Sequence, residues 1–579
     1  MKISLIFPPS WLPSQPFLSL PVLTAFLRRE GVEVIQRDLN IEFLEILLSK
    51  ETAVLMGNAM NSALAKGPAA MQPERFSLIR QAADLMPFLA ERVEWAKGVF
   101  RSEDFYDIEK YMEALKVIDK YLEAAGALYY PSSITNFDNN MRYSVYSSSD
   151  VMSAMQDENE NIFLDIFKKN FAPSILAERP DILGISITST AQLIPGLTLA
   201  RLVKEADKGI HVAIGGSVFT KLIDNLLKGV DAFFSFVDSF VVFEGEHALL
   251  ELANQVSGRR DFSKVSNLIY RENGTVKLNE PFYVEDASSL PTPDYDGLPL
   301  SLYHSPRRVL PVQTSRGCYW GKCTFCNLHY DHKHFRPKTD LVVRDIQTLK
   351  ERYDTNFFFF ADECIPVSTL KRLVKELPGL GIKWIAGVRF EEGLSRDLIR
   401  DMRAAGCLKL VFGLESYSQR VLDLMKKGTR QDVIKRVLEG CLDEGVVAHV
   451  YTIVGFPTET VEEAFEAVNF ILNNERLVSS PGFSFLPCLF EMEKHSPVTE
   501  DPASFGIRRI MAPKKDDLSL GYFYEVERGM SPEEAEQLHA TILNKVNSTI
   551  SPFPYNYSMS DGFLYLERRT SAGEVIQNG

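Results

Sequence analysis

The chain has 579 residues, 45% of them hydrophobic and 24% charged, with 34 glycines and 30 prolines, which excludes collagen-like, mucin-like and wholly disordered classes. At about 150 residues per domain the length corresponds to three or four domains. The 63 Lys and Arg against 77 Asp and Glu give a net charge of -14, so small or neutral partners are expected, with no nucleic acid.

The residues Met1 to Phe7 run straight into Pro8-Pro9, a pattern of a buried first strand with no small-residue cleavage site, and the cytoplasm is the expected compartment. No apolar run approaches the ~18 to 20 residues of a membrane span, so no membrane association is expected. Apolar runs at Ile3 to Pro8 and Val32 to Asp38 flank an amphipathic stretch, Leu20 to Arg29. The alternation resumes with Ile182 to Thr188, Leu193 to Ala206, His211 to Ile214 and Phe233 to Phe243. Strands alternating with helices predict a parallel, doubly wound α/β sheet. Between these halves, residues 41–180 carry Ala, Met, Glu and Lys at helical spacing, as in Phe105 to Ala124, and read as a helical insertion.

The stretch 286–306 holds three prolines within ten residues and no periodicity, which marks a linker. From Val309 to Leu472 strands and helices alternate again, and four or more βα units in a row predict a full or partial (β/α) barrel. The expected domains are therefore 1–285, with the insertion at 41–180, a linker at 286–306, a barrel at 307–475, and a mixed C-terminal substrate or cap region at 476–579 whose apolar segment Phe483 to Phe490 is a candidate pocket wall or cap.

All seven cysteines follow residue 317, and three of them, Cys318, Cys323 and Cys326, share one short loop after the strand Val309 to Gln313. An odd number placed this way is no disulfide framework. Three thiolates on one loop can ligate three irons of a 4Fe-4S cluster and leave the fourth iron open. Tyr319, Trp320 and Phe325 would shield such a cluster, and Arg316 and Lys322 would offset its charge. The competing ligand set is structural zinc on the three cysteines with His329, and His332 and His334 as spares. Cys364, Cys407, Cys441 and Cys488 read as small buried hydrophobes.

The loop resembles that of the radical S-adenosylmethionine (SAM) superfamily. Its spacing here is C-x4-C-x2-C, one residue longer than the usual C-x3-C-x2-C, with Gly321 the accommodating insertion. The resemblance extends through Asp362-Glu363 after one strand, Arg389 at the end of the next, Gly413-Leu414-Glu415-Ser416, and Tyr451 to Gly455-Phe456-Pro457. It implies SAM contacts from Asp362, Glu363, Arg389, Glu415, Ser416, Tyr451 and Gly455, all near carboxyl strand ends, where barrels build active sites.

The amino-terminal half resembles the cobalamin-binding Rossmann-like domain of one radical SAM class. The matching pieces imply cobalamin contacts from Leu20, Ser186, Thr188, Gly215, Gly216, Ser217, Glu244, Gly245 and Glu246; ordinary glycine turns are the alternative. No Asp-x-His-x-x-Gly motif occurs and the first histidine is His211, so the lower face of the cobalt is expected to be open or water-ligated. Together the resemblances imply an enzyme holding a 4Fe-4S cluster, SAM and cobalamin, supplied with electrons by a flavodoxin or ferredoxin. They imply C-methylation of an unactivated carbon in a small molecule or peptide. Ring contraction or cyclisation without methyl transfer, or a cobalamin-binding sensory protein, are the alternatives. No further catalytic residue is assigned.

Overall fold

The computed structural model describes residues 1–228, 231–284, 290–331, 333–335, 339–512, 515–550 and 558–571. The chain forms two compact units, the first running to Tyr283 and the second built mainly from Val309 onwards.

The first unit is built on β1 (Lys2–Phe7), β2 (Glu33–Asp38), a small β3–β4 hairpin (Ser133–Ile134, Asn139–Asn140), β5 (Ile182–Ser186), β6 (His211–Gly215), β7 (Ser239–Val241), β8 (Leu268–Glu272) and β9 (Thr275–Leu278). Its seven-stranded sheet has the order β2-β1-β5-β6-β7-β8-β9. β1 is buried on both faces from Ile3 to Phe7, as a central parallel strand must be. Ile3, Leu5 and Phe7 meet Leu20, Phe26 and Leu27 of the helix Ser19–Arg29 in one core cluster.

The strands β2 to β7 of this sheet pair in parallel, but β7–β8 and β8–β9 are antiparallel. A purely parallel sheet was expected. The turn between β8 and β9 is Asn273-Gly274, both at positive φ (51° and 80°), the signature of a tight hairpin turn. The apolar run Phe233 to Phe243 likewise splits into a short 3-10 turn, Asp231–Ser235, and the three-residue β7. Between β2 and β5 the chain is mostly helical, with the helices Lys50–Leu64, Pro73–Phe100 and Ile108–Gly126 packed side by side.

The expected linker does not behave as one over its described part. Residues 290–308 belong to the first unit: Arg28 donates to the carboxylate of Asp294 at 2.9 Å, Gln36 Nε2 donates to its carbonyl at 2.7 Å, and Tyr303 donates to buried Asp38 at 2.6 Å. The prolines mark turns, while these long-range polar contacts fix the path. Residues 286–289 of that stretch lie outside the described residues.

The second unit carries six strands in chain order, all parallel: β10 (Val309–Val312), β11 (Phe357–Phe360), β12 (Lys383–Val388), β13 (Cys407–Glu415), β14 (Val447–Val454) and β15 (Ser484–Leu489). β15 falls in the region expected to be a separate C-terminal domain, so the barrel sheet extends beyond residue 475. Its apolar run, Phe483 to Phe490, is a strand and not a cap. The alternation of side chains sorts the two faces. Leu408, Leu410, Phe412, Leu414, Val450 and Val454 are buried against the helical layer, while Val411, Gly413, Tyr451 and Ile453 on the opposite, inner face are half-buried.

A three-stranded antiparallel sheet follows, formed by β16 (Met492–Glu493), β17 (Ile507–Met511) and β18 (Gly521–Val526) in the order β16-β18-β17. It shares a core with Val421, Met425, Phe456 and Phe490, against which Phe325 of the cysteine loop packs. Two helices, Pro532–Thr549 and Met559–Ser571, complete the described chain. No helix among the described residues is long and apolar enough to cross a membrane.

Candidate functional site

The cysteine loop leaves β10 at its carboxyl end and is anchored on several sides. Thr314 donates from its N–H and hydroxyl to Asp362, both at 2.9 Å, and Ser315 adds a third bond at 2.8 Å. Thr324 donates from N–H to Met425 O at 3.0 Å and from its hydroxyl to Leu424 O at 3.1 Å. Trp320 Nε1 donates to Lys426 O at 2.9 Å, and Asn327 Nδ2 to Lys494 O at 3.1 Å. Gly317 and Gly321 stand at φ 71° and 57°, a conformation costly for other residues. Gly321, read from the sequence as the accommodating residue of the first cysteine gap, is one of these two left-handed glycines.

All three loop cysteines are free thiols of intermediate burial. Burial pushes Cys326 up to about 12 and raises Cys323, with Lys427 and then Arg389 acting in the opposite direction on Cys323. Burial disfavours the Cys323 thiolate and the two cations favour it, and three thiols on one loop beside buried cations are a donor set that suits a thiolate-binding metal group. The residues present therefore fit a 4Fe-4S cluster. Among the described residues no three His, Cys, Asp or Glu side chains converge on a single metal ion, and thiolates that ligate three separate irons of a cluster need no such convergence. Of the histidines considered as zinc ligands, His334 points Nδ1 at Gly317 O (3.4 Å), and His332 lies outside the described residues.

The residues matched to SAM contacts gather at the carboxyl ends of β11 to β14. Asp362 is buried and pushed up to about 6 by desolvation, with its oxygens occupied by Thr314 and Ser315. It braces the base of the cysteine loop, while its neighbour Glu363 is exposed. Arg389 is buried, with its guanidinium 3.8 Å over the Trp320 ring; it donates to Glu391 at 2.8 Å and to Lys427 O at 2.5 Å, while its Nε has no partner.

Glu415 accepts from Lys427 Nζ at 2.7 Å, with both side chains buried. A register shift between Gly413 and Glu415 carries Glu415 to φ 63°, a strained position for a residue with a side chain. At Gly413 a Cβ would come within 2.1 Å of the Glu415 carboxylate, so that glycine makes room for the ion pair. Ser416 is buried and its Oγ accepts from Ser418 N–H at 3.2 Å. Tyr451 is half-buried, edge-on to His449 with ring centroids 4.4 Å apart. Gly455 stands at φ 87° and donates to buried Glu459 at 2.8 Å. Glu391 and the bracing role of Glu459 were not singled out by sequence reasoning; both lie within five residues of a motif position, and only the fold shows which way they face.

In the first unit the residues matched to cobalamin contacts divide into two groups. The strand order reverses at β1 and β5, and open α/β sheets bind ligands at the carboxyl edge of such a switch point. There Ser186 Oγ lies 3.1 Å from Ser19 Oγ, Ser217 donates to Thr188 O at 3.3 Å, and Ile187 N–H donates to Gly215 O at 2.8 Å. Gly216 stands at φ 109°, and a Cβ there would be 2.0 Å from Ile187 O; only glycine fits.

A residue missed from the sequence, fully buried Gln192, ties this edge together. Its Oε1 accepts from Thr188 N–H at 2.9 Å and Thr188 Oγ1 at 3.1 Å, and its Nε2 donates to Pro8 O at 2.9 Å. Leu20, by contrast, is 2% exposed within the hydrophobic core, because its helix turns this residue towards β1. Glu244 and Glu246 are also buried, and Gly245 precedes the helix Glu246–Ser257 closely packed on Leu23. His211 is a core residue, bonded to Ser239 at 2.9 Å and pushed down to about 4 by burial.

A radical SAM superfamily model matches residues 312–471. The chain is 28% identical over 316 residues to an uncharacterized methyltransferase of Pyrococcus horikoshii (53% of this chain, 67% of that protein). It is equally identical over 316 residues to an anaerobic magnesium-protoporphyrin IX monomethyl ester cyclase of Rubrivivax gelatinosus (52% of this chain, 55% of that protein). The matches thus span two thirds and about half of these relatives. Among solved structures, the cobalamin-dependent SAM radical enzyme OxsB with aqua-cobalamin and SAM bound superposes with a TM-score of 0.58 at 13% identity, covering 99% of this chain and 71% of that one; this is a likeness of fold. The cysteine loop, the sequential parallel strands and the family match fall on the same residues, so the chain carries a radical SAM domain over residues 312–471.

Proposed function

We propose that this protein is a cobalamin-dependent radical SAM enzyme that methylates an unactivated carbon of a small molecule or peptide. The observation that carries the reading is the pairing, in one chain, of the cysteine loop with a β1/β5 switch-point edge whose Gly216 has no room for a side chain. The relative named as a methyltransferase and the cobalamin named in the OxsB structure support it.

When bound, the cluster would reduce SAM to yield a 5′-deoxyadenosyl radical and cobalamin would carry the methyl group. Cys318, Cys323 and Cys326 would hold the cluster, and buried Lys427 and Arg389 favour the thiolate form of Cys323. Asp362 fixes the start of the loop, and Trp320 under Arg389 keeps one side of it dry. Glu415, Ser416, Tyr451 and Gly455 would orient SAM, with Lys427 holding the Glu415 side chain in place through a 2.7 Å hydrogen bond. At the switch-point edge Ser186, Thr188, Gly215, Gly216 and Ser217 would bind cobalamin. A flavodoxin- or ferredoxin-type protein would supply electrons in the cytoplasm.

The relative named as a cyclase favours one second reading, a cobalamin-dependent cyclisation or rearrangement without methyl transfer. Product analysis separates the two. After anaerobic reconstitution with iron, sulfide and cobalamin, a methylase forms 5′-deoxyadenosine and S-adenosylhomocysteine together with methylated product. A cyclase forms deoxyadenosine and no homocysteine product when turning over its substrate.

A further inference from the structure

The inner face of the barrel sheet holds a polar cluster that the SAM-binding residues do not use. Lys409 on β13, His449 on β14 and Ser484 on β15 lie on adjacent strands, with His449 paired in register with Ser484 and with Val411. Lys409 is 2% exposed, and its ammonium makes one hydrogen bond, to Ser484 Oγ at 3.4 Å. His449 Nδ1 is 2.5 Å from the same oxygen, and His449 Nε2 is buried without a partner.

Among the described residues no carboxylate acts on either group. Lys409 is perturbed by burial alone, down to about 8, and His449 by burial and then by Lys409, down to about 3. At neutral pH the lysine is therefore a cation in a site without a counterion, an arrangement that costs stability unless an anion joins it. The neutral imidazole beside it offers a second donor when its proton sits on Nε2.

The inner face is less tightly covered on one side of the cluster. Towards the carboxyl strand ends, Val411, Tyr451 and Cys488 are half-buried and Leu486 is 42% exposed. Near the amino ends, the helix Met559–Ser571 packs by β13 and sets Phe563 edge-on to Phe357 at 5.8 Å. Lys409 and Glu415 stand six positions apart on β13, on the order of 20 Å of strand.

We propose that Lys409, His449 and Ser484 form the deep end of the substrate site and bind an oxyanion, a carboxylate or phosphate group, at the end of an elongated substrate remote from its reacting carbon. This rests on the inner face being where substrate reacts, yet its test needs neither cluster nor radical chemistry.

The full chain is titrated with sodium acetate, inorganic phosphate and S-adenosylhomocysteine at ionic strength matched with chloride, and thermal unfolding is followed. Acetate or phosphate is expected to raise the Tm of the wild-type chain beyond chloride, and the anion that does so assigns carboxylate or phosphate. The Lys409→Met chain, freed of an unpaired buried cation, is expected to fold with an equal or higher basal Tm and to lose the anion response. H449Q is expected to weaken the response about tenfold, the effect of losing one bond to a charged group. A response to S-adenosylhomocysteine alone would assign the cluster to SAM and overturn the proposal. So would no response to any anion, or a response retained in K409M. Loss of SAM cleavage with the anion response intact would overturn the proposed reaction and leave this site standing.

Discussion

Lys427 Nζ lies 2.7 Å from Glu415 Oε1, and both side chains are buried beside the cysteine loop. Sequence distance hides this pairing, because the eleven residues between them leave β13, form the short helix Gln419–Leu424 and return. The pair sets the polarity of the site: Glu415 raises Lys427 against the effect of burial, and the Lys427 ammonium acts on Cys323.

Removing either partner leaves an uncompensated buried charge, which costs about 3 to 5 kcal/mol, while removing both costs much less. Urea unfolding of Glu415→Gln, Lys427→Met and the double variant is expected to show two strongly destabilised single variants and a double variant more stable than either. Additive losses would contradict a coupled pair.

Glu459 is buried and pushed up from 4.5 to about 8 by desolvation, with Gly455 N–H acting against that shift. A folded-state value above the unfolded one means that the folded chain binds more protons, so this group's stabilising contribution is complete below about 4.5 and is lost as pH rises to about 8. Glu459→Gln keeps the acceptor for Gly455 N–H and removes the titration. Relative to that variant, the wild-type chain is expected to lose on the order of 1 kcal/mol per pH unit between pH 5 and 8. Parallel stability profiles for the two chains would contradict this.

At Gly216 a Cβ would meet Ile187 O at 2.0 Å with φ at 109°, whereas at Gly379 nothing lies within 4 Å. G216A is expected to lose about 2 kcal/mol or more and to bind cobalamin poorly, while G379A stays within about 1 kcal/mol of wild type. Denaturant titration and equilibrium dialysis with hydroxocobalamin measure the two effects. A G216A chain as stable as G379A would refute the close approach of backbone at this edge.

Gln192 holds Thr188 and Pro8 through three hydrogen bonds while fully buried. Gln192→Ala leaves the Thr188 N–H and the Pro8 carbonyl unmatched and is expected to cost about 1 to 3 kcal/mol. Amide exchange is expected to rise first at Thr188 and Ser189. Exchange unchanged there would mean that the loop is held by other contacts.

What could be read from the sequence follows from what was local. The continuous apolar runs of β1 and β5, the three clustered cysteines and the glycines at strand ends carry their meaning within a few residues. The antiparallel edge was also written locally, in Asn273-Gly274, but an Asn-Gly turn among βα units is outweighed by the surrounding alternation. Other features depend on long-range contacts. Leu20 sits on the core side of its helix only because β1 lies beneath it, and Asp362 is committed to Thr314 and Ser315, 48 and 47 residues away. Residues 290–306 read as a linker by composition because the side chains holding them, Arg28, Gln36 and Asp38, lie more than 250 residues earlier. Phe483 to Phe490 looks like any apolar segment until its register with β14 makes it the sixth strand.

The central claim, that one chain holds both a thiolate-ligated cluster and cobalamin, is tested most directly by anaerobic reconstitution of the wild-type protein and of the Cys318→Ala/Cys323→Ala/Cys326→Ala variant, followed by metal analysis and assay of SAM cleavage. The wild type is expected to hold roughly four irons and one cobalt per chain and to release 5′-deoxyadenosine under reductant, and the variant to keep the cobalt while losing the iron and the cleavage. Zinc in place of iron, or a wild-type chain that takes up iron and no cobalt, would contradict it.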